Sequence, residues 1–219
     1  MSKSFTQPIL NSEEDWLKYR AKCVTGSDIA ALFGEHKYKS RSSLIASKMS
    51  GAPERIPDNG PMWFGREMED PNRVAFGKLT GIRSRGTHAF LVSNNCPRLA
   101  ATLDGLAIFP ENGIGKYVPY WATEFLQGEF PLKAKGLGLL ELKNSEKLPT
   151  SIPSYHKWQI HAQLAVTGLP WCVYIVKVGA AKFRAWFVER EEKTCIRIYN
   201  AVEEFFTELE EAKKEFGYE

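Results

Sequence analysis

In the N-terminal third of the chain, apolar side chains recur at helical spacing. Ser12 precedes three acidic residues, which predicts the capped start of a short helix through Trp16 and Leu17. A second helix is expected to begin at Ser27, whose hydroxyl can cap it, and a third to cover 41–49.

The stretch 61–79 also has helical periodicity, but it contains Pro71. Proline has no N–H and cannot donate the hydrogen bond of an internal helical position. A kink or a restart is therefore expected near Pro71, and Gly81 is expected to end the helix.

Beyond Gly81 the pattern changes to short runs rich in β-forming residues. Strands are predicted over 82–92 and 98–109, and the leucine-rich run 137–143 is typical of a mainly buried strand. Runs 171–178 and 182–189 flank a short glycine-containing turn and predict a hairpin.

Two longer helices complete the pattern. One is predicted from Ser154 to Thr167, closed by Gly168, and an amphipathic one spans 191–216. Early helices followed by strands with a helix between them predict an α/β or α+β fold, with a central mixed β-sheet flanked by helices.

Composition narrows the class of protein. A length of 219 residues favours a single domain, 1–219, and a net charge of +3 is too small to indicate a nucleic-acid partner unless the basic groups cluster. The four cysteines form no C-x-x-C pair, which makes a zinc ribbon or an iron–sulfur site improbable. No apolar run approaches the length of a membrane span, so a cytoplasmic protein without a membrane partner is the default expectation.

The candidate chemistry centres on Glu141 and Lys143, which alternation places on one face of the 137–143 strand, about 7 Å apart. Asp104 ends a predicted strand before Gly105. Two converging carboxylates favour a divalent cation, and oxygen ligands without a histidine or cysteine cluster favour Mg²⁺. A lysine beside them can orient a metal-bound water for phosphodiester hydrolysis. The pattern alone equally fits a solvated ion pair at a strand end.

Five short sequence motifs occur in the same order as in the lambda-exonuclease and YqaJ-type viral recombinase family, which the chain therefore resembles. This family is part of the PD-(D/E)xK nuclease superfamily. Together the motifs extend the resemblance over nearly the whole chain. The motifs are Val24–Ala30, Phe64–Glu69, Thr102–Gly105, Leu140–Lys143 and Trp158–Gly168.

The resemblance implies a restriction-endonuclease-like core and a role for each matching residue. Asp104 and Glu141, with the carbonyl of Leu142, correspond to the ligands of a catalytic metal. Lys143 corresponds to the residue that handles the attacking water. Mg²⁺ is the implied cofactor, and Mn²⁺ is expected to substitute for it.

The resemblance also implies roles outside the central set. Glu69 matches a helical acid near the metals, although a solvated carboxylate is the alternative. Gln159 matches a glutamine that can hold the water or a phosphate oxygen, while Gln163, one turn on, is expected to bond to groups behind the ligands. Arg20 matches an arginine that engages a 5′-phosphate, with Ser27 as a further donor; a surface arginine and a plain helix cap are the alternatives.

This chain departs from the family pattern in three places. Thr102-Leu103 replaces a small residue and proline before Asp104, and Asn144-Ser145 replaces Cys-Pro after the lysine. Asp104 and Glu141 are separated by 36 residues, far more than a short hairpin needs. The segment 110–136 is therefore predicted to be an inserted flap or hairpin that contacts DNA, a neighbouring subunit or a partner protein.

The implied activity is a Mg²⁺-dependent 5′-to-3′ exonuclease acting on linear double-stranded DNA and leaving 3′ single strands for annealing. Relatives imply a ring-shaped homotrimer and a phage single-strand annealing protein as partner. Two alternatives remain: an endonuclease or a nuclease of different polarity on the same fold, and a noncatalytic DNA-binding subunit.

Overall fold

The computed structural model describes residues 4–49, 51, 57, 59–111, 113, 126–127, 131, 134–179 and 182–218. Within them the chain forms seven helices and ten strands. The helices are α1 Glu13–Ala21, α2 Ile29–Leu32, α3 Arg41–Met49, α4 Gly60–Glu67, α5 Glu69–Thr80, α6 Ser154–Thr167 and α7 Glu192–Phe216. The strands are β1 Phe5–Thr6, β2 Val24–Thr25, β3 Arg83–Gly86, β4 Phe90–Ser93, β5 Leu99–Thr102, β6 Gly105–Ile108, β7 Leu126–Gln127, β8 Gly138–Ser145, β9 Trp171–Val178 and β10 Lys182–Glu189.

The strands form two mixed sheets. The larger has the order β3-β6-β8-β9-β10-β7, with β8 parallel to β9 and the predicted hairpin β9–β10 antiparallel. The smaller has the order β1-β4-β5-β2. The mixed α/β fold with flanking helices is confirmed, and its strands are divided between two sheets.

Helices cover both faces of the larger sheet. Alternation along β8 sends Leu139 and Glu141 toward α6, whose apolar residues join the main core with α2, α3 and α7. Leu140 and Leu142 point to the opposite face, where they pack in a second core with Phe76 of α5. The strand that carries the candidate chemistry is therefore buried on both sides.

The first helices end and restart close to where the sequence predicted. The Ser12 hydroxyl accepts a hydrogen bond from the Asp15 N–H at 3.1 Å, as a cap should. Helix α4 ends at Glu67 and α5 begins at Glu69, so the predicted restart precedes Pro71. Gly81 then ends α5 with φ at 74°, in the left-handed region that favours glycine.

The predicted strands 82–92 and 98–109 were wrong as single elements. Each is two short strands, and the second run passes from the smaller sheet to the larger between β5 and β6. Alternating hydrophobicity cannot reveal such a change of sheet, because Leu103 is buried at the crossing just as a strand residue would be.

The start of β8 contains one close approach. Gly138 lies against the ring of Trp171, and a Cβ at this position would come within 2.1 Å of the ring atom Cε3. Glycine is therefore required there for β8 to pair with β9.

Most of the predicted flap 110–136 lies outside the described residues. Two of its residues form β7, which pairs in parallel with β10 through Leu126 and Phe183. The flap and the single-domain organisation remain predictions. Among the described residues, no helix combines the length and apolar character needed to span a membrane.

Candidate active site

Asp104 and Glu141 meet at the end of a strand pairing. Strand β6 pairs with β8 as far as Gly105 and Leu140 and then stops. Asp104, the residue before Gly105, places its Oδ2 atom 3.0 Å from the N–H of Leu142 and accepts its hydrogen bond. The carboxylate thus takes the hydrogen-bonding position that a longer β6 would occupy, and it is close enough to Glu141 for the two acids to interact electrostatically.

Glu141 is completely buried, and donors surround both of its oxygens. Lys143 Nζ lies 2.5 Å from Oε1. Gln159 donates to Oε1 and Gln163 to Oε2, each at 2.6 Å. Gln163 also donates to the carbonyl of Thr102 at 3.2 Å. These contacts fix the Glu141 side chain in one orientation.

The two glutamines reach Glu141 because they are one turn apart on the same face of α6. Gln163 was expected to pack or to bond to groups behind the ligands, but it donates directly to Glu141, a predicted ligand, as well as to the Thr102 carbonyl. Gln159 bonds to Glu141 itself. A role in holding the water or a phosphate oxygen stays a prediction.

Burial raises the pKa of both acids of this pair. Burial, and then repulsion from Asp104, raise the pKa of Glu141 to about 7. Burial likewise raises the pKa of Asp104, although the Lys143 charge and the Leu142 N–H oppose this. Burial alone would lower the pKa of Lys143, but attraction to Glu141 and Asp104 outweighs it and raises the pKa, so Lys143 stays charged.

This arrangement suits a divalent cation chemically. A divalent cation held by both carboxyl groups would displace any proton they carry into solvent and would neutralise their charges. The donors are hard oxygens, the type that Mg²⁺ prefers. In an extended strand the N–H and C=O of a residue leave on the same edge, so the Leu142 carbonyl shares the edge at which Asp104 bonds.

Glu69 lies at the rim of this centre rather than within it. Its Oε2 is 4.0 Å from Nδ1 of His88, and its side chain is 25% exposed. Burial raises the pKa of Glu69, and its charge interacts with Lys143 and Glu141. Over the described ranges, no cluster of three or more Asp, Glu, His or Cys side chains is suited to a metal ion. The predicted metal role of Glu69 stays a prediction.

Arg20 belongs to a separate basic cluster between α1, α2 and α3. Its guanidinium lies 5.1 Å from the centre of the Trp16 ring. Lys48, which is buried, donates to the Arg20 carbonyl at 3.3 Å, and Lys39 lies 3.2 Å from the buried carboxylate of Asp28. A small cavity is lined by all four charged residues. Three cations around one carboxylate leave a net positive charge, which suits an anion.

Sequence reasoning missed Asp28 and the two lysines of this cluster. Burial would raise the pKa of Asp28, but Lys39 and Lys48 outweigh it and lower the pKa, so Asp28 is ionised. The motif Val24–Ala30 contains Asp28 and could have drawn attention to it. The lysines come from another helix and the loop before it, and carry no pattern of their own.

The helix predicted to start at Ser27 begins later. Asp28 occupies the N-cap of α2, and its side chain makes no capping bond. Its Oδ2 instead accepts from the Thr25 hydroxyl at 2.6 Å, while the exposed Ser27 hydroxyl lies 3.1 Å from that of Thr25. Ser27 is therefore not a helix cap, and its predicted role as a phosphate donor is untested.

Comparison with known proteins gives the family and the fold of this chain. Residues 15–170 match the sequence model of the YqaJ-like viral recombinase domain. The uncharacterized protein YqaJ of Bacillus subtilis (strain 168) is 25% identical over 199 residues, which are 90% of this chain and 56% of that protein. The chain thus spans little more than half the length of this curated relative.

Solved exonuclease structures have the same fold. The alkaline exonuclease LHK-Exo from Laribacter hongkongensis superimposes with a TM-score of 0.65 and 20% identity, covering 93% of this chain and 96% of that one. Its complex with dAMP gives a TM-score of 0.64 and 19% identity, with 93% and 95% covered. A phage-related exonuclease from Haemophilus somnus 129PT superimposes with a TM-score of 0.55 and 11% identity. The superposition covers 87% of this chain and 96% of that one.

Proposed function

Because the chain belongs to the YqaJ-like viral recombinase domain family, we propose that it is a metal-dependent DNA exonuclease. It digests one strand of linear double-stranded DNA from the 5′ end and leaves 3′ single strands for recombination by annealing. The observation that carries the proposal is the buried meeting of Asp104 and Glu141, with Lys143 bound to the second acid.

Asp104, Glu141 and the Leu142 carbonyl would hold Mg²⁺, with Mn²⁺ able to substitute. The cation would stabilise the negative charge that grows on the scissile phosphate and favour the ionised form of a bound water. Glu69, at the rim, would contribute to a second cation or to a water ligand. Gln159 and Gln163 keep Glu141 oriented by donating to its two oxygens.

Lys143 acts in its charged form. Its raised pKa means that Nζ keeps its protons at neutral pH, so it donates hydrogen bonds rather than removing a proton. Its partner in the free protein is Glu141 Oε1. Directed at the attacking water or at a phosphate oxygen, the ammonium orients the nucleophile and stabilises developing charge.

The basic cluster around Arg20 would bind the 5′-phosphate of the digested strand. A guanidinium can donate two parallel hydrogen bonds to one phosphate, and Lys39 and Lys48 add positive charge nearby. The exposed hydroxyl of Ser27 would be a further donor. A terminal phosphate bound here would set which end of a strand is cut.

Assembly and partners follow from the family resemblance. We infer a ring-shaped homotrimer that encloses the duplex, a phage-type single-strand annealing protein as partner, and action in the bacterial cytoplasm. A closed ring suits an enzyme that holds its substrate over many cycles. With a charge of +3 per chain, basic groups would have to line the ring for it to hold DNA. The flap 110–136 would contact DNA, a neighbouring subunit or the partner.

The test is cleavage of a linear 5′-phosphorylated duplex in Mg²⁺ by the wild type, Lys143→Ala and Lys147→Ala. Lys147 is exposed and close in sequence, so it is a matched control. We expect Lys143→Ala to lose at least about a hundredfold in rate while still binding DNA, and the control to keep wild-type activity. Equal activity in all three proteins, or none in any, would contradict the proposal.

Cleavage of different DNA substrates distinguishes the proposed function from its alternatives. Cleavage of a closed circle would favour an endonuclease, and release of nucleotides from the 3′ end would reverse the polarity. A preference for 5′-phosphate over 5′-hydroxyl ends that is lost in Arg20→Ala and kept in Lys22→Ala would support the phosphate site. Retention of the preference in Arg20→Ala would exclude that role.

A further inference from the structure

Two asparagines far apart in sequence join the catalytic strand to the helices on its other face. Asn72 of α5 donates from Nδ2 to Oδ1 of Asn144 at 2.9 Å. Asn144 in turn donates from Nδ2 to the carbonyl of Gly65 in α4 at 3.4 Å. The side chain of Asn72 is buried, with 3% of the residue exposed. We call this pair of asparagines the amide clamp.

The clamp is attached to β8 at the residue next to Lys143, which belongs to the proposed active site. Asn144 directly follows Lys143, and alternation sends the two side chains to opposite faces of β8. Lys143 faces Glu141 and α6, and Asn144 faces α5. A shift of Asn144 would therefore move the backbone that carries Lys143.

At its other end the clamp spans a weak point in the helices. Helices α4 and α5 are separated at Met68, and Pro71 cannot donate a hydrogen bond to the carbonyl of Glu67. The ladder of helical hydrogen bonds is thus incomplete at the junction. Asn144 of β8 bonds to Gly65 before the break and to Asn72 after it, so one side chain of the strand holds both helices.

Glu69 begins α5 inside this junction. It precedes Asn72 by three residues, so the two lie on neighbouring positions of one helix face. Its carboxylate interacts electrostatically with Lys143 and Glu141 but has no hydrogen bond to either within the described residues. Its distance from the catalytic centre therefore depends on how the start of α5 is held.

We propose that Asn72 and Asn144 are positioning residues, which hold the α4–α5 junction so that Glu69 stays at the rim of the Asp104–Glu141 centre. The inference rests on the proposed nuclease function and deepens it. The residues act through Glu69 and do not touch the substrate.

The test is a double-mutant cycle with Glu69→Gln. We expect Asn144→Ala to reduce kcat about tenfold on a linear duplex, to leave KM within about twofold, and to raise the Mg²⁺ concentration for half-maximal rate. In the Glu69→Gln background the same substitution should cost less than about twofold, because the carboxylate that it displaces is already gone. Asn200→Ala, an exposed asparagine on α7, is the matched control and should change none of these values.

Asn72→Ala removes the same 2.9 Å bond from the other side and should repeat the pattern. It serves as the second variant if Asn144→Ala does not fold, and thermal denaturation checks both. Equal losses in the wild-type and Glu69→Gln backgrounds, with an unchanged Mg²⁺ requirement, would mean a merely structural clamp and would overturn the inference.

The cycle also distinguishes this failure from that of the proposed function. A wild-type protein that cleaves no DNA refutes the proposed function, and the clamp's role falls with it. An active wild type, an impaired Glu69→Gln variant and additive losses refute the clamp alone. An active wild type with an unimpaired Glu69→Gln variant also refutes the clamp, because the clamp would then have nothing to position.

Discussion

The buried Glu141 carboxyl should make the metal-free protein less stable as the pH rises. Its pKa in the folded chain is raised to about 7 from 4.5, so between these values the folded state binds more protons than the unfolded state. The stabilising contribution of protonated Glu141 is fully present below pH 4.5 and is lost as the pH rises through about 7. At about 1.4 kcal/mol per pKa unit, the loss is about 3 kcal/mol.

The measurement is the free energy of unfolding in urea, at several pH values from about 5 to 8, in the presence of a chelator. Wild type and Glu141→Gln are compared, because glutamine does not titrate. We expect the wild-type value minus the variant value to fall by about 3 kcal/mol over this range. Glu146 is an exposed acid in the loop directly after β8. The same comparison between the wild type and Glu146→Gln should show no such fall.

Subtraction is necessary because His156 acts in the opposite direction. Burial, and then the nearby Lys143 charge, lower the pKa of His156 to about 3 from 6.5, so this histidine adds stability as the pH rises between those values. Both proteins contain His156, and its contribution cancels in the difference. A difference that stays flat or increases with pH would refute the reasoning about Glu141.

Three further outcomes are expected. Saturating Mg²⁺ should raise the free energy of unfolding of the wild type at pH about 8 and leave Glu141→Gln nearly unchanged, and equal stabilisation of both would contradict a site at Glu141. Gly138→Ala should cost about 3 kcal/mol or prevent folding, since its Cβ would lie 2.1 Å from the Trp171 ring; a wild-type melting temperature would be the contrary result. Tyr199→Phe should cost about 1 kcal/mol in urea denaturation, because the Tyr199 hydroxyl donates to the Ala165 carbonyl at 2.8 Å, and no change would mean that the bond contributes nothing.

Local signals in the sequence predicted much of the fold. Ser12, Pro71 and Gly81 act through backbone rules that need no knowledge of the rest of the chain, and they mark the start, the restart and the end of a helix, respectively. Gln163 was predictable from Gln159 by helical spacing alone. The candidate pair Glu141 and Lys143 was visible because charges are unusual in a buried strand.

The features that sequence reasoning missed depend on contacts between distant residues. Ser27 has the sequence of a helix cap, but the bond from Thr25 to Asp28 fixes the backbone one residue later. The change of sheet after Leu103 depends on which strands pair. The amide clamp joins residues that are 72 positions apart, and neither asparagine stands out locally.

Asp104 bonds to β8 at the point where the pairing of β6 with β8 stops, so the position of this proposed metal ligand depends on strand register. A slip of one residue would turn the inward side chains outward and move the acid about 3.4 Å along its neighbour. The Leu142 N–H would then lose its acceptor inside the protein, at a cost comparable to that of a lost hydrogen bond. A chain folded in the wrong register would thus be both less stable and unable to assemble its two acids, so correct folding and the meeting of the two acids are reached in the same step.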